Sequence, residues 1–335
     1  MTETTHPNPL RIFDACTAFT RTEAMRTAVN LRLFTIIGEG AHRIADIAQR
    51  CGASERGIRT LCDFLVVEEF LTKNGDVYGL SPDAAAFLDE RSPMFVGSIV
   101  NFLGSDVMTT NWRSLTRAVQ EGGTAPESST TQADAPVWVE FARSMAPMMV
   151  PAAHAIADIV DAQGASWKVL DIAAGHGMFG IVYAQRHPNS RVTAVDWSAV
   201  LKLAQENAGK MGVAERYETL AGSAFDIDFG SGYDLVLVPN FIHHFDGPTN
   251  LTLMKKVHAS LRPGGKVAVL EFVPNNDRVS PPWPAKFSAM MLASTPSGDS
   301  YTFDEIAGVL TDAGFGDVRR HDLLPSPQTL VLASK

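Results

Sequence analysis

The run Val169-Leu170-Asp171-Ile172-Ala173-Ala174-Gly175-His176-Gly177 leaves this chain few folds to choose from. Its apolar start suits a buried strand, a carboxylate stands at the strand's end, and the glycines then break the chain into a turn. A helix follows at once through Met178–Ala184, and a second strand, Arg191–Val195, ends on another carboxylate, Asp196. Strand, glycine turn, helix, strand and acid form the first half of a nucleotide-binding α/β sheet. In such a sheet the glycine backbone comes close to a ligand, and the acid after the second strand accepts hydrogen bonds from two ribose hydroxyls.

Which nucleotide binds is the next question. Gly175-His176-Gly177-Met178-Phe179-Gly180 matches the G-x-G-x-x-G of dinucleotide sites, a weak signal by itself. In a dinucleotide fold the strand runs directly into the first glycine, and the helix start faces a pyrophosphate. Here Asp171 closes the strand four residues before Gly175. A fixed negative charge repels a pyrophosphate, but it suits a ligand that carries an ammonium and a sulfonium. That ligand is S-adenosylmethionine. A glycine turn that only joins strand to helix leaves the two strand-end acids unexplained.

The chain has 335 residues, room for two domains at about 100–200 residues each. Hydrophobic content of 45% and charged content of 19% suit large buried cores. A net charge of −9 argues against nucleic acid or an anionic membrane as partner. Cys16, Cys51 and Cys62 show no metal-ligand spacing and read as packed thiols of a reducing compartment. The first ten residues lack a signal-peptide pattern, and no apolar run is long enough to span a membrane. The expectation is a soluble cytoplasmic protein without a metal.

Thr2–Pro9 reads as a loose arm. From Leu10 to Ile37, Ile12, Phe13, Phe19, Met25, Val29, Leu33 and Phe34 recur at helical spacing, enough to cover a second copy of the chain. Two short helices around Cys51-Gly52-Ala53 are followed by a hairpin at Asn74-Gly75, the order of a winged helix. That form either reads DNA or holds dimers together. Ala41–Glu90 carries five bases against nine acids, the wrong sign for gripping phosphates, so the dimer reading is preferred. Helical segments continue to Gly122, and Gly122–Asp134 reads as an exposed loop. A helix with Trp138, Phe141, Met145, Met148 and Met149 is expected to end near Pro151, with another over Ala152–Ala162. Such a stripe fits a core. Helices just before a cofactor domain also roof its cleft, and methionine makes an adaptable apolar wall.

The second half alternates strand and helix, with strands at Tyr217–Leu220, Asp234–Val238 and Lys266–Phe272, then an antiparallel pair at Val318–Leu323 and Thr329–Ala333. Between them, Phe287–Leu292 reads as a helix over the cleft. Ligands of an open parallel sheet bind at the carboxyl ends of its strands. Asp171, Asp196, Ser223, His243 and Glu271 fall at or just beyond the ends of five successive strands, so the fold gathers them at one cleft.

With these residues the chain resembles small-molecule O-methyltransferases that have an N-terminal winged-helix dimerisation domain, such as plant phenylpropanoid, melatonin-forming and bacterial secondary-metabolite enzymes. The resemblance runs from Leu10 to the C-terminus. It implies that Asp171, Ala173, Gly175 and Gly177 hold the methionine part of the cofactor and that Asp196 holds its ribose, with Trp197 beside the adenine. The family's Gly-Asp-Met-Phe turn becomes Gly222-Ser223-Ala224-Phe225, with a hydroxyl in place of the carboxylate, and Phe141 and Met145 match an F-x-x-x-M helix near the cofactor. Asn240 joins this cofactor set. Ile242-His243-His244-Phe245 matches the segment of the catalytic base, putting the base on His243, and Glu271 matches the glutamate that orients it. The family's second glutamate falls near Ser300, a departure that places a hydroxyl where the family has a carboxylate. Met148, Met149, His244, Phe287, Met290 and Met291 are assigned to the acceptor pocket, although His244 reads more simply as a helix-start residue satisfying backbone groups.

The resulting expectation is a Rossmann-like doubly wound α/β domain over residues 164–335, connecting helices over 101–163, and a helical winged-helix-like dimerisation domain over 1–100. Its reaction would be methyl transfer from S-adenosyl-L-methionine to a hydroxyl of a small, largely apolar acceptor, releasing S-adenosyl-L-homocysteine, in a homodimer. Transfer to carbon or nitrogen, or a repurposed member of the family, is the alternative. A cofactor-sensing DNA-binding regulator is the other, disfavoured by the acidic N-terminal half.

Overall fold

In the computed structural model, which describes residues 7–130, 137–160 and 163–335, the chain divides into one unit within residues 1–106 and another within 107–335. The arm expected over Thr2–Pro9 lies largely outside the described residues.

The first unit runs α1 (Leu10–Thr17), α2 (Phe19–Asn30), α3 (Leu33–Gly38), α4 (Ile44–Cys51), α5 (Glu55–Val67), β1 (Leu71–Asn74), β2 (Val77–Leu80), α6 (Pro82–Phe87) and α7 (Ile99–Leu103). Its core gathers Leu33, Phe34, Ile37, Ile47, Ile58 and Leu65. The Ser54 side chain starts α5 by accepting from the Gly57 N–H. β1 and β2 pair antiparallel with Asn74 opposite Val77, so the two-residue turn is Gly75-Asp76, one position later than the Asn74-Gly75 expected. Gly75 takes φ +61° there, which a hairpin turn of this length requires. α1 buries none of its residues: Leu10, Ile12 and Phe13, with Phe19 on α2, are 65–68% exposed.

The second unit takes in α8 (Asp106–Arg113) from Val107 onward, then α9 (Leu115–Glu121) and α10 (Val137–Ile159). It continues through β3 (Lys168–Ile172), α11 (Met178–Arg186), β4 (Arg191–Asp196), α12 (Ser198–Lys210), β5 (Tyr217–Ala221), β6 (Tyr233–Pro239), α13 (Gly247–Ser260) and β7 (Leu261–Glu271). It ends with α14 (Pro282–Ser294), α15 (Phe303–Asp312), β8 (Gly316–Asp322) and β9 (Thr329–Ser334). The sheet order is β5-β4-β3-β6-β7-β9-β8, parallel from β5 to β7 and antiparallel at β9 and β8. β3 and β6 are central and almost wholly buried, which accounts for their continuous Val/Leu/Ile runs. The chain order reverses between these two strands, and that is where such a sheet opens a ligand crevice.

Two expectations are corrected. α10 does not stop at Pro151 but runs unbroken through both Pro147 and Pro151. Each proline removes a backbone donor, yet Met145, Met149, Ala152, Ala153 and Ile156 are buried along it, so packing outweighs the lost bonds. The part of the second expected helix at residues 161–162 lies outside the described residues. Nor is the described part of Gly122–Asp134 an exposed loop throughout. Ser129 and Thr130 are buried, and the N–H of Thr130 donates to the Ser294 carbonyl at 3.0 Å, tying the segment to the end of α14. Residues 131–134 lie outside the described residues.

Candidate active site

The glycine loop after β3 rests on left-handed backbone: Ala173 at φ +54°, Gly175 at +57° and Gly177 at +78°. For Ala173 that conformation costs about 1–2 kcal/mol, and the bond from the Ala174 N–H to the Val195 carbonyl at 3.1 Å helps to hold it. Asn240, just past β6, is left-handed too (φ +54°), its N–H donating to the Leu270 carbonyl at 2.8 Å. The two strained residues flank the switch point. A Cβ on Gly177 would lie 2.7 Å from the Tyr217 hydroxyl, and one on Gly180 would lie 2.8 Å from Asp171 Oδ2. Only glycine lets α11 start this close to the sheet.

Asp171 and Asp196 have parted roles. Asp171 is wholly buried behind the loop, and its Oδ2 accepts from the Gly180 N–H at 3.0 Å. Burial pushes its carboxyl up to about 8, reinforced by the negative charge of Asp196. The sequence reading of Asp171 as a fixed charge facing the ligand is therefore corrected. Mostly protonated at neutral pH and closed off from solvent, it supports the loop from behind. Asp196 is half-buried at the loop's front, with Oδ2 accepting from the Gly175 N–H at 2.8 Å and Oδ1 from the Trp197 N–H at 2.7 Å. His176 accepts from the Met178 N–H through Nδ1, and burial lowers its pKa to about 4, so it adds no charge.

On the other side of the crevice, Glu271 at the end of β7 organises the segment after β6. Its Oε1 accepts from the Phe241 N–H at 2.9 Å and from the His243 N–H at 3.3 Å. Its Oε2 meets His243 Nδ1 at 2.6 Å, with both side chains buried. A carboxylate only accepts, so Nδ1 carries a proton, and the neutral form of the ring has its lone pair on Nε2. The His243 ring touches Phe287 edge-on at 4.9 Å and the His244 ring at 4.2 Å. His244 packs on Trp138 at 5.3 Å, and Trp138 on Phe141 at 5.5 Å. Asn240 Nδ2 donates to Met149 Sδ at 3.5 Å. Met291 is buried with Phe272 and Phe287, and Met290 packs against them.

Phe225 links this segment to the turn after β5 through its edge contact with Phe245 at 4.9 Å. In that turn the N–H of Gly222 donates to the Asp196 carbonyl, and Ser223 Oγ accepts from the Phe225 N–H. Ala224 turns into the core. Met145 is buried on α10 and Met148 is partly buried there. Ser300 does not replace the second glutamate, because its hydroxyl is buried and donates to the Phe272 carbonyl. No group of His, Cys, Asp or Glu among the described residues could hold a metal ion.

Three contributors were missed from the sequence. Lys256 Nζ donates to the carbonyls of Ala224, Phe225 and Ile227 at 2.9, 2.9 and 2.6 Å, pinning the turn after β5. The one available signal was a cation set among the buried Leu253, Met254 and Val257 of α13. Gln328, buried beside β9, donates to Asn240 Oδ1. Tyr217, under the glycine loop, gave no local signal.

Residues 112–316 match the O-methyltransferase domain family, and residues 13–90 match the O-methyltransferase dimerisation domain. The chain belongs to this family and is an S-adenosylmethionine-dependent O-methyltransferase. It is 28% identical to the tetracenomycin polyketide synthesis 8-O-methyl transferase TcmO of Streptomyces glaucescens, over 100% of this chain and 99% of that one. It is 27% identical to the 3-hydroxy-5-methyl-1-naphthoate 3-O-methyltransferase of Streptomyces sahachiroi, over 93% and 90%. Among solved structures, a Nostoc punctiforme PCC 73102 protein assigned as an O-methyltransferase is 46% identical, with a TM-score of 0.95 over 99% of this chain and 100% of that one. Human N-acetylserotonin methyltransferase in complex with SAM shares the fold at 20% identity, with a TM-score of 0.85 over 100% and 99%.

Proposed function

We propose that this enzyme methylates a hydroxyl of a small, largely apolar aromatic acceptor of secondary metabolism, with His243 as general base and Glu271 as its positioning residue. The observation that carries the reading is the 2.6 Å bond from His243 Nδ1 to Glu271, which leaves Nε2 as a lone-pair acceptor at the crevice. When bound, S-adenosylmethionine supplies a methyl group on a sulfonium and is left as S-adenosylhomocysteine. The chain's own residues bind, orient and deprotonate. Ala173 and Gly175 present loop backbone to the methionine part, with Asp171 and Gly177 supporting them from behind. Asp196 takes the ribose hydroxyls, and Trp197, Ser223 and Phe225 bound the adenine. Asn240, braced by Gln328 and Met149, separates the cofactor side from the acceptor side. Phe287, Met290, Met291, Met148 and Met149 wall the acceptor. The tetracenomycin and hydroxynaphthoate relatives are consistent with an aromatic acceptor of this kind.

Positioning supplies the larger share of acceleration, about 7–11 kcal/mol for well-oriented partners, and a base adds about 10²–10⁴-fold. A glutamate on Nδ1 holds the working tautomer and stabilises the imidazolium that forms. The protein acts as a cytoplasmic homodimer, with residues 1–100 as the dimerisation part, 101–163 roofing the cleft and 164–335 binding the cofactor. The exposed Leu10, Ile12, Phe13 and Phe19 support that assignment. The testing experiment is His243→Ala. Turnover should fall by about 10²-fold or more, with S-adenosylhomocysteine affinity unchanged. Normal turnover of the variant on its true acceptor removes the base assignment.

A further inference from the structure

His244 has a chemistry that the reaction above leaves unused. Its Nδ1 is buried with no hydrogen-bond partner, while the residue as a whole is only half-buried. The ring is enclosed by Trp138 at 5.3 Å, Phe241 at 6.5 Å, Phe245 at 6.1 Å and His243 at 4.2 Å. Burial, with His243 alongside, holds its pKa well below the ordinary histidine value, so the ring is neutral. A neutral imidazole carries one N–H and one lone pair. An orphaned buried N–H is rarer than an under-satisfied acceptor. The sealed Nδ1 therefore keeps the lone pair, and the N–H falls to Nε2, which is not among the buried side-chain atoms without a partner. Next to a lone pair on His243 Nε2 stands a neutral donor on His244.

We propose that His244 Nε2–H binds a neutral carbonyl oxygen of the acceptor adjacent to the hydroxyl that is methylated, so that the preferred substrates are hydroxy-carbonyl arenes. This rests on the reading of His243 as base and adds the substrate class. The wall of Trp138, Phe241 and Phe245 offers no cation to pair with a carboxylate, and an unpaired buried charge is costly. A carbonyl carries no such cost. In a free hydroxy-carbonyl arene the hydroxyl proton is held by its own carbonyl in an O–H···O bond of roughly 2.5–3.0 Å. A donor from His244 takes over that carbonyl and releases the hydroxyl proton to face His243. An acceptor without the carbonyl leaves the His244 N–H unpaired, and sites built to bond a polar group discriminate strongly against analogues that lack it.

The test is binding of a matched pair, 1-hydroxyanthraquinone and 1-hydroxyanthracene, to the S-adenosylhomocysteine-loaded full-length protein, wild type and His244→Phe. Phenylalanine keeps a ring between Trp138 and His243 and removes the donor. Wild type should bind the quinone about tenfold more tightly, the ordinary worth of one such bond, and the variant should bring the ratio near one. His244→Gln, whose amide can donate, should restore part of the preference. Wild type that binds neither probe, or both equally, overturns the inference, as does a preference that survives in His244→Phe. Turnover with S-adenosylmethionine is read separately. Discrimination in binding without methylation of either probe leaves the His244 assignment standing and refutes hydroxyl methylation as proposed.

Discussion

Replacing Glu271 by glutamine tests the site most sharply, because the two residues have the same shape and opposite hydrogen-bonding at one atom. In the wild type Oε1 accepts from two backbone N–H groups, Phe241 at 2.9 Å and His243 at 3.3 Å, while Oε2 accepts from His243 Nδ1–H at 2.6 Å. The amide introduced by Glu271→Gln has one oxygen and one NH₂. Turning the NH₂ toward the two backbone donors would leave both without a partner, at about 1–3 kcal/mol each. The oxygen therefore stays with the backbone, and the NH₂ faces His243 Nδ1. The imidazole must then accept at Nδ1 and carry its proton on Nε2, which presents a donor where the acceptor hydroxyl needs a base. The whole base contribution is lost, about 10²–10⁴-fold in kcat, or about 2.7–5.4 kcal/mol at 1.36 kcal/mol per tenfold. The fold around the site should survive, since both backbone bonds are kept. Steady-state kinetics with saturating cofactor, together with calorimetric binding of S-adenosylhomocysteine, measure this directly. Cofactor affinity should be unchanged, and the double variant with His243→Ala should lose little more than either single change. Retention of more than about a tenth of kcat by Glu271→Gln, or fully additive losses, would show that the tautomer argument is wrong.

Asp196→Ala should weaken S-adenosylhomocysteine about ten- to hundredfold by calorimetry, the cost of losing a charged acceptor at about 1.5–3 kcal/mol, and equal affinity would take Asp196 out of the site. Lys256→Met frees three carbonyls of the turn after β5, so cofactor affinity should fall while kcat at saturation holds; a change in kcat alone would count against it. Asp171 titrates near 3.9 when unfolded and at about 8 in the fold, so the folded chain binds more protons between those values and its stability contribution falls as pH rises from about 4 to about 8. Tm of the wild type relative to Asp171→Asn, whose amide oxygen can still accept from Gly180, should drop across that window and level off above it, and a gap independent of pH would refute the assignment. Sedimentation at micromolar concentration should give about twice the chain mass of 36.2 kDa, and an active monomer would speak against the exposed α1 face as an interface.

Much of this protein is local, and what is local was readable. Apolar runs of strand length, glycines at turns and carboxylates at or near the ends of β3, β4 and β7 specify the α/β order, because periodicity and backbone freedom act over a few residues. The meeting of His243 and Glu271 followed from one further step, since β6 and β7 are parallel neighbours and residues past their carboxyl ends must lie side by side. What only tertiary structure decided depends on desolvation and on partners far away in sequence. Asp171 and Asp196 look alike as strand-end acids, yet one is sealed behind the loop and held mostly protonated, and the other is left half-open at the front. Pro151 foretold the end of α10, and burial along the helix overrode it. Lys256 and Gln328 reach carbonyls and an amide 29–32 and 88 residues away. No sequence window contains such contacts, because whether a polar group is stranded or satisfied depends on which distant backbone the fold brings to it.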